Sequence, residues 1–315
     1  MLSLIRQLEA VNCAAYNVSK MMKIAVVVLN YNGLLETKSC LDSLRRVKKS
    51  NFEVEIIVVD NNSTDGSQIT LPKEKGIKFV QNEKNLGFSG GNNRAIKYAL
   101  ERNVDYVLIL NNDTVVDENF LVYLVNNKNA DIVSPKIYFE KGFEFHKDRY
   151  KEKQLGKVIW YAGGEIDWQN IMGKHIGVDE VDKSQFNKSR EVDFATGACI
   201  LVRREVFKKI GLFDEKYFLY LEDMDFCVRA KKAGFTIVYE PKAVLWHKNA
   251  SSIGGSGSNL QDYYFTKSRL LFALKFAKLR TKFAVLRQVY SSKDKIKRKA
   301  LLDFLIGNFG EAKLD

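Results

Sequence analysis

Residues 24–33 read IAVVVLNYNG and residues 56–67 read IIVVDNNSTDGS. Each is a run of apolar, mostly β-branched residues that stops at a cluster of Asn, Asp and Gly. A strand with one face in water alternates polar and apolar residues, whereas a continuously apolar strand is typical of a parallel sheet covered on both faces. Both stretches therefore predict parallel strands inside an α/β domain.

The same pattern continues along the chain, where short apolar runs alternate with segments of helical periodicity that open with a polar or small residue. The predicted strands are Ile24–Leu29, Val54–Val59, Ile77–Val80, Tyr106–Leu110, Ile132–Ser134, Val192–Val202 and Thr236–Tyr239. The predicted helices are Glu36–Val47, Ser89–Leu100, Glu118–Asn126, one from Arg204 and one over Leu221–Ala233. We expect an α/β class fold with a Rossmann-like, mostly parallel sheet flanked by helices.

Composition excludes several other classes. With 315 residues, of which 46% are hydrophobic, the chain can bury a large core, so wholesale disorder is excluded. The four cysteines form no C-x-x-C pair, which argues against a disulfide framework or a structural zinc site and favours buried thiols. No apolar run reaches the roughly 18–20 residues of a membrane-spanning helix, and residues 1–22 lack the apolar core of a secretory signal. We expect a cytoplasmic protein.

Polar residues follow three of the predicted strands, at Asn30-Tyr31, Asp60-Asn61 and Asn111-Asn112-Asp113. One such segment alone could simply form a turn. Three of them predict a ligand site, because the carboxyl ends of parallel strands meet at one rim of the sheet and ligands bind there.

Asp113 is the charged residue of the third segment, flanked by amides. A single carboxylate in this setting suits a hard divalent cation that keeps several waters and is shared with a diphosphate, so Mg²⁺ or Mn²⁺ is expected. The alternative is a helix cap, although Asp117 can already cap the following helix. A glycine-rich segment, NLGFSGGNN at 85–93, enters a helix and favours anion binding by backbone amides, which is a weak signal alone.

Carboxylates cluster in YLEDMDFC at 220–227, and Trp246-His247 follows a later strand. The acidic cluster fits either a solvated helix start or a cleft that faces a cation or a substrate hydroxyl, and its apolar flanks favour the cleft. His247 precedes a loop of small residues at 251–257, which makes a metal or phosphate contact plausible beside a purely structural role.

Six sequence stretches along residues 23–275 match the ordered motifs of a known family. They are IAVVVLNYNG, IIVVDNNSTDGS, NEKNLGFSGGNNRAI, YVLILNNDTVVDENFL, VDFATGACILVRREVF and FDEKYFLYLEDMDFCVRAKKAGF. In these stretches the chain resembles glycosyltransferase family 2, and within it the rhamnosyltransferase-like branch of bacteria and archaea. The resemblance implies the GT-A fold, a nucleotide-diphosphate-sugar donor, a divalent cation and an inverting mechanism.

The resemblance also implies roles for single residues. The base and ribose of the donor would bind at Asn30, Tyr31, Asp60 and Asn61, where many relatives have an aspartate in place of Asn61. Asn92 would stand near the diphosphate, where some relatives carry an arginine.

The D-x-D motif of the family falls on Asn111-Asn112-Asp113, so Asn112 would contact the donor, Asp113 is its charged metal ligand and His247 is the candidate second ligand. Glu222 and Asp223 match the Glu-Asp pair of the family, with Asp223 as the general base. The small residues 195–198 would form the floor of the sugar and acceptor site.

The division into regions follows from these assignments. Residues 1–22 are an N-terminal extension, for which a start at Met21 or Met22 and a short amphipathic lead-in both remain open. Residues 23–265 form the GT-A catalytic domain, with a nucleotide-binding half at 23–137, an insertion at 138–190 and an acceptor-side half at 191–265. Residues 266–315 form a basic helical region.

The basic region carries 13 Lys and Arg against 4 Asp and Glu, out of a net charge of +12 for the whole chain. From Leu270 the spacing of Phe272, Phe276, Leu279, Phe283 and Leu286 predicts one long amphipathic helix. This helix could pack on the catalytic domain with a solvated basic face. The other interpretation is peripheral contact of residues 266–306 with the inner face of the cell membrane, where a lipid-linked acceptor would lie. No recognised nucleic-acid module occurs, so no nucleic-acid partner is expected.

The sequence thus predicts an inverting, metal-dependent glycosyltransferase that moves rhamnose from dTDP-rhamnose, or a hexose from a UDP-hexose, to a cell-surface glycan or lipid-linked acceptor. Two rival hypotheses are a nucleotidyltransferase and a non-catalytic basic scaffold that binds nucleic acid or membranes. A nucleotidyltransferase would need a phosphate loop after the first strand, which this sequence lacks. A scaffold would tolerate loss of Asp113 and Asp223.

Overall fold

The computed structural model describes residues 21–248, 258–312 and 314. Of the N-terminal extension only Met21 and Met22 are among the described residues. The small-residue loop at 251–257 lies outside them. The described strands are β1 (Met22–Asn30), β2 (Phe52–Asp60), β3 (Ile77–Gln81), β4 (Tyr106–Asn111), β5 (Thr114–Val116), β6 (Ile132–Phe139), β7 (Ile159–Tyr161), β8 (Gly164–Asp167), β9 (Met172–His175), β10 (Arg190–Glu191), β11 (Cys199–Arg203) and β12 (Ile237–His247).

Nine α-helices accompany these strands within the described ranges. They are α1 (Leu34–Arg45), α2 (Ser67–Thr70), α3 (Gly87–Glu101), α4 (Phe120–Asn126), α5 (Arg204–Ile210), α6 (Glu222–Lys232), α7 (Asn259–Phe276), α8 (Leu279–Tyr290) and α9 (Lys295–Leu305). The expected strands and helices of the first half are present, and their ends differ from the prediction by a few residues, with β6 five residues longer. Apolar side chains of the central strands are buried, with residues 25–28 of β1 fully inaccessible.

The central sheet has the order β10-β12-β6-β11-β4-β1-β2-β3, with β5 paired to β12 and β7 to β6. Strand β1 is parallel to both β2 and β4, and its register places Asn30 opposite Asp60 and Leu29 opposite Asn111. The three polar strand ends therefore meet at one rim of the sheet, as the sequence predicts.

The two halves of the chain join through β11, which is antiparallel to both β4 and β6. Strand β12 then runs parallel to β6 and antiparallel to β5, so that His247 pairs with Thr114. This pairing brings the end of β12 beside Asp113, although 134 residues separate the two side chains along the chain.

The predicted strand over Val192–Val202 is wrong in its first half. The strand β11 begins only at Cys199, because residues 195–198 form a loop that faces a cavity. The region 138–190, expected as an insertion, contributes β7 to the central sheet, and β8 and β9 form a separate antiparallel hairpin.

The single long helix predicted from Leu270 is also wrong. Ala277 and Lys278 have extended backbone angles, with ψ near 155° and 152°, so the chain leaves the helix between α7 and α8. Phe272 is buried, whereas Leu279 and Phe283 are exposed, so the expected apolar stripe does not lie on one continuous face. None of the helices in the described ranges combines the length and apolarity that crossing a bilayer requires.

The expectation of buried thiols is confirmed for Cys40, Cys199 and Cys227, which are free and buried. Burial raises the pKa of the Cys40 thiol to about 12, so this side chain stays protonated and unreactive at neutral pH. Cys13 lies outside the described residues.

Candidate active site

A cavity of about 470 Å³ opens at the carboxyl ends of β1 and β4 and is closed on its far side by the start of α6. Its volume is in the range of small-molecule sites. Seven of the ten residues singled out in the sequence line it, namely Tyr31, Asn61, Asn112, Asp113, Glu222, Asp223 and His247.

Asn30 and Asp60 are fully buried and do not line the cavity, contrary to the expectation that they would contact the donor directly. Asp60 accepts hydrogen bonds from Asn30 Nδ2 at 2.6 Å, from Ser63 Oγ at 2.6 Å and from Gln81 Nε2 at 2.7 Å. A buried carboxylate with several donors is stable and holds those donors in place. Both residues therefore fix the loops after β1 and β2, from which Tyr31 and Asn61 reach the cavity.

Asn61 connects the loop after β2 to the glycine-rich loop. Its Nδ2 donates to the carbonyl of Gly87 at 2.9 Å and to Asn85 Oδ1 at 3.2 Å, and its Oδ1 accepts from Asn82 Nδ2 at 2.8 Å. Gly87 has φ of +68°, and a Cβ there would lie 2.3 Å from the carbonyl oxygen of Phe218. Glycine is needed at this position for both reasons.

Asn92, which the family resemblance implies near the diphosphate, does not reach the cavity in this structure. The residue is fully buried and absent from the cavity lining, and its Nδ2 donates to the carbonyl of Phe88 within α3. Because the side chain is short and its amide bonds back to its own helix, it does not reach the cavity as an arginine would.

Asp113 and His247 form a close pair on the cavity wall. Asp113 Oδ1 lies 3.0 Å from His247 Nε2, and both side chains are almost completely buried. The ring of Trp160 packs edge-on against His247, with the ring centroids 4.6 Å apart. Beside them, Asn112 donates through Nδ2 to Thr37 Oγ1 at 3.0 Å.

A carboxylate and an imidazole are ligands that suit Mg²⁺ or Mn²⁺, with the imidazole favouring Mn²⁺. Within residues 21–248 and 258–312 no group of three or more His, Cys, Asp and Glu side chains could hold an ion by itself. The donor set therefore fits a cation that draws its remaining ligands from water and from the oxygens of a bound substrate.

Glu222 and Asp223 begin α6 directly after Tyr220 and Leu221, whose φ angles are +69° and +64°. Two successive non-glycine residues in the left-handed region are uncommon and are found where surrounding structure enforces a turn, often at functional sites. This turn aims the first residues of α6 into the cavity.

The two carboxylates differ in their contacts. Asp223 Oδ2 accepts from the Gly197 N–H at 2.8 Å and Oδ1 from the Met224 N–H at 2.7 Å, and burial raises the pKa of this carboxyl above its ordinary value. Glu222 Oε2 has no hydrogen-bond partner among the described residues. Burial, and next the charge of Asp223, raise the pKa of Glu222 well above its ordinary value. The arrangement favours a neutral Glu222 beside an Asp223 that can ionise.

Several lining residues were not predicted from the sequence. Asn85 stands in the glycine-rich stretch, where its polarity was the available signal. Trp160 and His175 belong to the region 138–190, whose weak periodicity gave no signal, and Glu311 comes from the end of the basic region. Burial lowers the pKa of His175 to about 4, so its ring is neutral near pH 7.

The family model described as "Glycosyl transferase family 2" matches residues 25–211, more than half of the chain. The chain belongs to this family.

Relatives of this glycosyl transferase family 2 chain include a low-salt glycan biosynthesis hexosyltransferase, Agl10, of Haloferax volcanii. It is 27% identical over 218 residues, which are 68% of this chain and 63% of the relative. An N-acetylglucosaminyl-diphospho-decaprenol L-rhamnosyltransferase of Mycobacterium tuberculosis is 28% identical over 214 residues, which are 64% of this chain and 68% of the relative. The chain thus spans about two thirds of the length of each.

Solved structures show the same GT-A fold. GalNAc-T7 with UDP, GalNAc and Mn²⁺ matches 91% of this chain and 56% of its own, with a TM-score of 0.59 at 15% identity. The mannosyltransferase PcManGT of Pyrobaculum calidifontis, in complex with GDP-Man and Mn²⁺, matches 97% of this chain and 94% of its own, with a TM-score of 0.55 at 14% identity. The expected fold class and family are confirmed.

Proposed function

We propose that the protein is an inverting glycosyltransferase that moves a sugar from a nucleotide-diphosphate donor to a hydroxyl of a cell-surface glycan or lipid-linked acceptor. The observation that carries the proposal is that Asp223, with its raised pKa, and the Asp113–His247 pair line the same cavity. The names of the hexosyltransferase and rhamnosyltransferase relatives support a hexose or rhamnose as the transferred sugar, with dTDP-rhamnose or a UDP-hexose as donor.

Asp223 is the general base of this proposal. A carboxylate that takes the proton of the acceptor hydroxyl must be ionised, yet basic enough to bind the proton in the transition state. Burial supplies the basicity, while the N–H groups of Gly197 and Met224 hold the carboxylate in one orientation. The raised pKa of Glu222 favours its neutral form, which keeps a second negative charge away from the donor diphosphate.

Asp113 and His247 would hold the divalent cation, Mg²⁺ or Mn²⁺, and Asn112, which lines the same cavity, would contact the donor. When bound, such an ion neutralises the charge that develops on the leaving diphosphate. Tyr31 and Asn61 would then contact the base and ribose, supported from behind by Asn30 and Asp60.

The donor site is tested by calorimetric titration of the full chain with UDP, dTDP and GDP, each with and without Mn²⁺, beside the Asp113→Ala variant. We expect one nucleotide to bind with a strong dependence on Mn²⁺, and we expect that dependence to disappear in the variant. If folded protein binds none of the three nucleotides, the proposal is wrong and a non-catalytic scaffold becomes the better hypothesis.

Contact with a membrane surface is a separate part of the proposal and rests on α8 and its flanks. Leu279, Phe283, Leu286 and Tyr290 follow one another at helical spacing and are all exposed. Residues 278–299 contain nine Lys and Arg against one Asp. An exposed apolar stripe inside a basic surface suits anionic lipid headgroups and the acyl boundary beneath them.

Cosedimentation with vesicles tests this contact. We expect binding to vesicles that contain phosphatidylglycerol and weaker binding to pure phosphatidylcholine. Replacing Leu279 and Phe283 by Ser should reduce binding, whereas Leu35→Ser, at an equally exposed position on α1, should not. Equal binding of all variants would contradict a role of α8.

A further inference from the structure

The chain returns to the cavity after its last helix. Residues 307–312, here called the C-terminal strap, leave α9 and run toward the glycine-rich loop, and Glu311 and Ala312 line the cavity. The strap thus contributes to a site whose other walls come from residues 29–265.

The strap is fixed to α7 at two points. Lys267 is buried, and its Nζ donates to the carbonyls of Asn308 at 3.2 Å and Gly310 at 3.5 Å. Further along, the N–H of Ala312 donates to Tyr264 Oη at 2.7 Å. Two anchors on either side of Glu311 leave the backbone at that residue little freedom.

Lys267 is itself held by a buried group. Its Nζ donates to Tyr263 Oη at 3.3 Å, and Tyr263 Oη donates to Asp303 Oδ2 at 2.6 Å. A lysine this deeply buried carries a desolvation cost, which lowers its pKa to about 8. The carbonyls of Asn308 and Gly310 accept hydrogen bonds from the ammonium group and offset this cost. The buried lysine and the strap therefore stabilise each other.

Hydrogen bonds connect Glu311 to a residue proposed to bind the nucleoside. Asn85 Nδ2 donates to Glu311 Oε1 at 3.0 Å, while Asn85 Oδ1 accepts from Asn61 Nδ2 at 3.2 Å. Glu311 is therefore two hydrogen bonds from Asn61, one of the residues proposed to contact the base and ribose. Nearby, the ring of Tyr264 stacks on Phe218 with centroids 4.8 Å apart.

A carboxylate at this end of the cavity suits one part of a nucleotide. It would repel the diphosphate, but it is a strong acceptor for the hydroxyls of a ribose or the N–H of a base. Asn85 donates to only one of the two carboxylate oxygens of Glu311. The carboxylate therefore keeps acceptor capacity for a ligand.

We propose that Glu311 binds the nucleoside of the donor by accepting hydrogen bonds from its hydroxyl or N–H groups, and that Lys267 is the positioning residue that holds the strap in place for this contact. The inference rests on the proposed function, since it assumes a nucleotide-diphosphate donor. It adds a binding residue from a segment outside the residues that the family model matches.

The test is calorimetry on the full chain with Mn²⁺ and two probes, the nucleotide that the wild type binds best and inorganic pyrophosphate. Glu311→Gln keeps an oxygen for Asn85 and removes the charge, so the loop geometry is preserved. We expect this variant to bind the nucleotide roughly tenfold more weakly or worse, with unchanged binding of pyrophosphate. Glu152→Gln, at an exposed glutamate paired with Lys141 and outside the cavity lining, is the matched control.

Tyr264→Phe is a mild second variant, because it removes the hydroxyl that accepts from Ala312 and little else. It should also weaken nucleotide binding and leave pyrophosphate binding intact, as should Lys267→Met if that variant folds. In kinetic assays the donor KM should rise in these variants with kcat nearly constant, as expected for loss of uniform binding.

Three results would overturn the inference. Wild-type nucleotide affinity in Glu311→Gln excludes contact with the nucleoside, while the proposed function stands. Parallel loss of nucleotide and pyrophosphate affinity would show that the strap acts only on the overall structure of the site. Absence of nucleotide binding by the wild type would defeat the proposed function and this inference together.

Discussion

Asp223 Oδ2 accepts a hydrogen bond of 2.8 Å from the backbone N–H of Gly197. This bond links the start of α6 to the loop that precedes β11, and both elements face the cavity. Gly197 has no side chain to separate the two, and a Cβ there would already lie 3.0 Å from the ring of Phe88. The bond leaves the carboxylate half-buried, oriented and in contact with the cavity.

Replacing Asp223 by Asn should reduce sugar transfer by roughly 100-fold or more, because the amide cannot take the acceptor proton. Glu222→Gln should lose far less, since a neutral glutamic acid and a glutamine are alike in shape and charge. Turnover of the donor in the presence of acceptor measures both, with calorimetry to show that donor affinity is kept. Equal losses in the two variants would contradict the assignment of the base.

Activity should fall on acidification at a higher pH than an ordinary aspartate would allow. The raised pKa of Asp223 means that its base form is lost as pH drops through that raised value, which exceeds the usual pKa of about 4. The acid limb of kcat/KM against pH reports this titration for the carboxylate pair. An acid limb at or below about pH 4 would show that burial does not act on the base as described.

The raised pKa of Asp223 should also affect the stability of the fold. A carboxyl whose folded pKa lies above its unfolded pKa stabilises the fold fully only below the unfolded value, and this contribution is lost as pH rises through the folded pKa. At a pH above this raised pKa the charged Asp223 therefore lowers the free energy of unfolding, and Asp223→Asn should raise the melting temperature there. At pH 3 the difference should shrink, and a variant that is less stable than wild type across the alkaline range would refute this.

Asp225, two residues further along α6, should matter for stability instead. Its side chain is fully buried, accepts from Arg229 Nε at 2.6 Å and contacts Lys275 of α7. Asp225→Ala removes the carboxylate partner of Arg229 and leaves Lys275 with only Asp214, so it should cost about 3 kcal/mol of unfolding free energy in urea titrations. Glu152→Ala breaks an exposed pair with Lys141 and should leave the free energy of unfolding almost unchanged.

Gly87→Ala should damage the end of the cavity that we propose for the nucleotide. The new Cβ would meet the carbonyl oxygen of Phe218 at 2.3 Å, and this backbone cannot yield without moving Phe88 and the acceptor of Asn61. We expect weaker nucleotide binding in calorimetry and lower stability. Gly234→Ala has a similar positive φ but no atom within 4 Å, so it should show a strain cost of about 1 kcal/mol and normal nucleotide binding.

The sequence predicts the rim of the sheet well because the signal there is local. A continuous apolar run followed by Asn30 or Asp60 marks both a strand and its end, and parallel pairing then places the ends together. It does not predict which of these side chains face the ligand. Asn30, Asp60 and Asn92 form hydrogen bonds with other protein groups instead. Their partners include Ser63, Gln81 and Phe88, which come close only in the folded chain.

Other parts of the site depend on contacts between distant segments. Glu311 reaches the cavity only because Lys267, 44 residues earlier, holds the strap, and no periodic pattern encodes that return. The break between α7 and α8 is equally hidden, since Ala277 and Lys278 are ordinary helix formers.

The position of β11 has a consequence for expression of fragments. This strand, formed by residues 199–203, covers an edge of β4 on one side and an edge of β6 on the other. A shortened chain that ends before residue 199 would present both edges bare, each an apolar template for pairing with another molecule. Such a fragment contains the three polar strand ends but should aggregate into inclusion bodies. The shortest soluble fragment must therefore extend past β11.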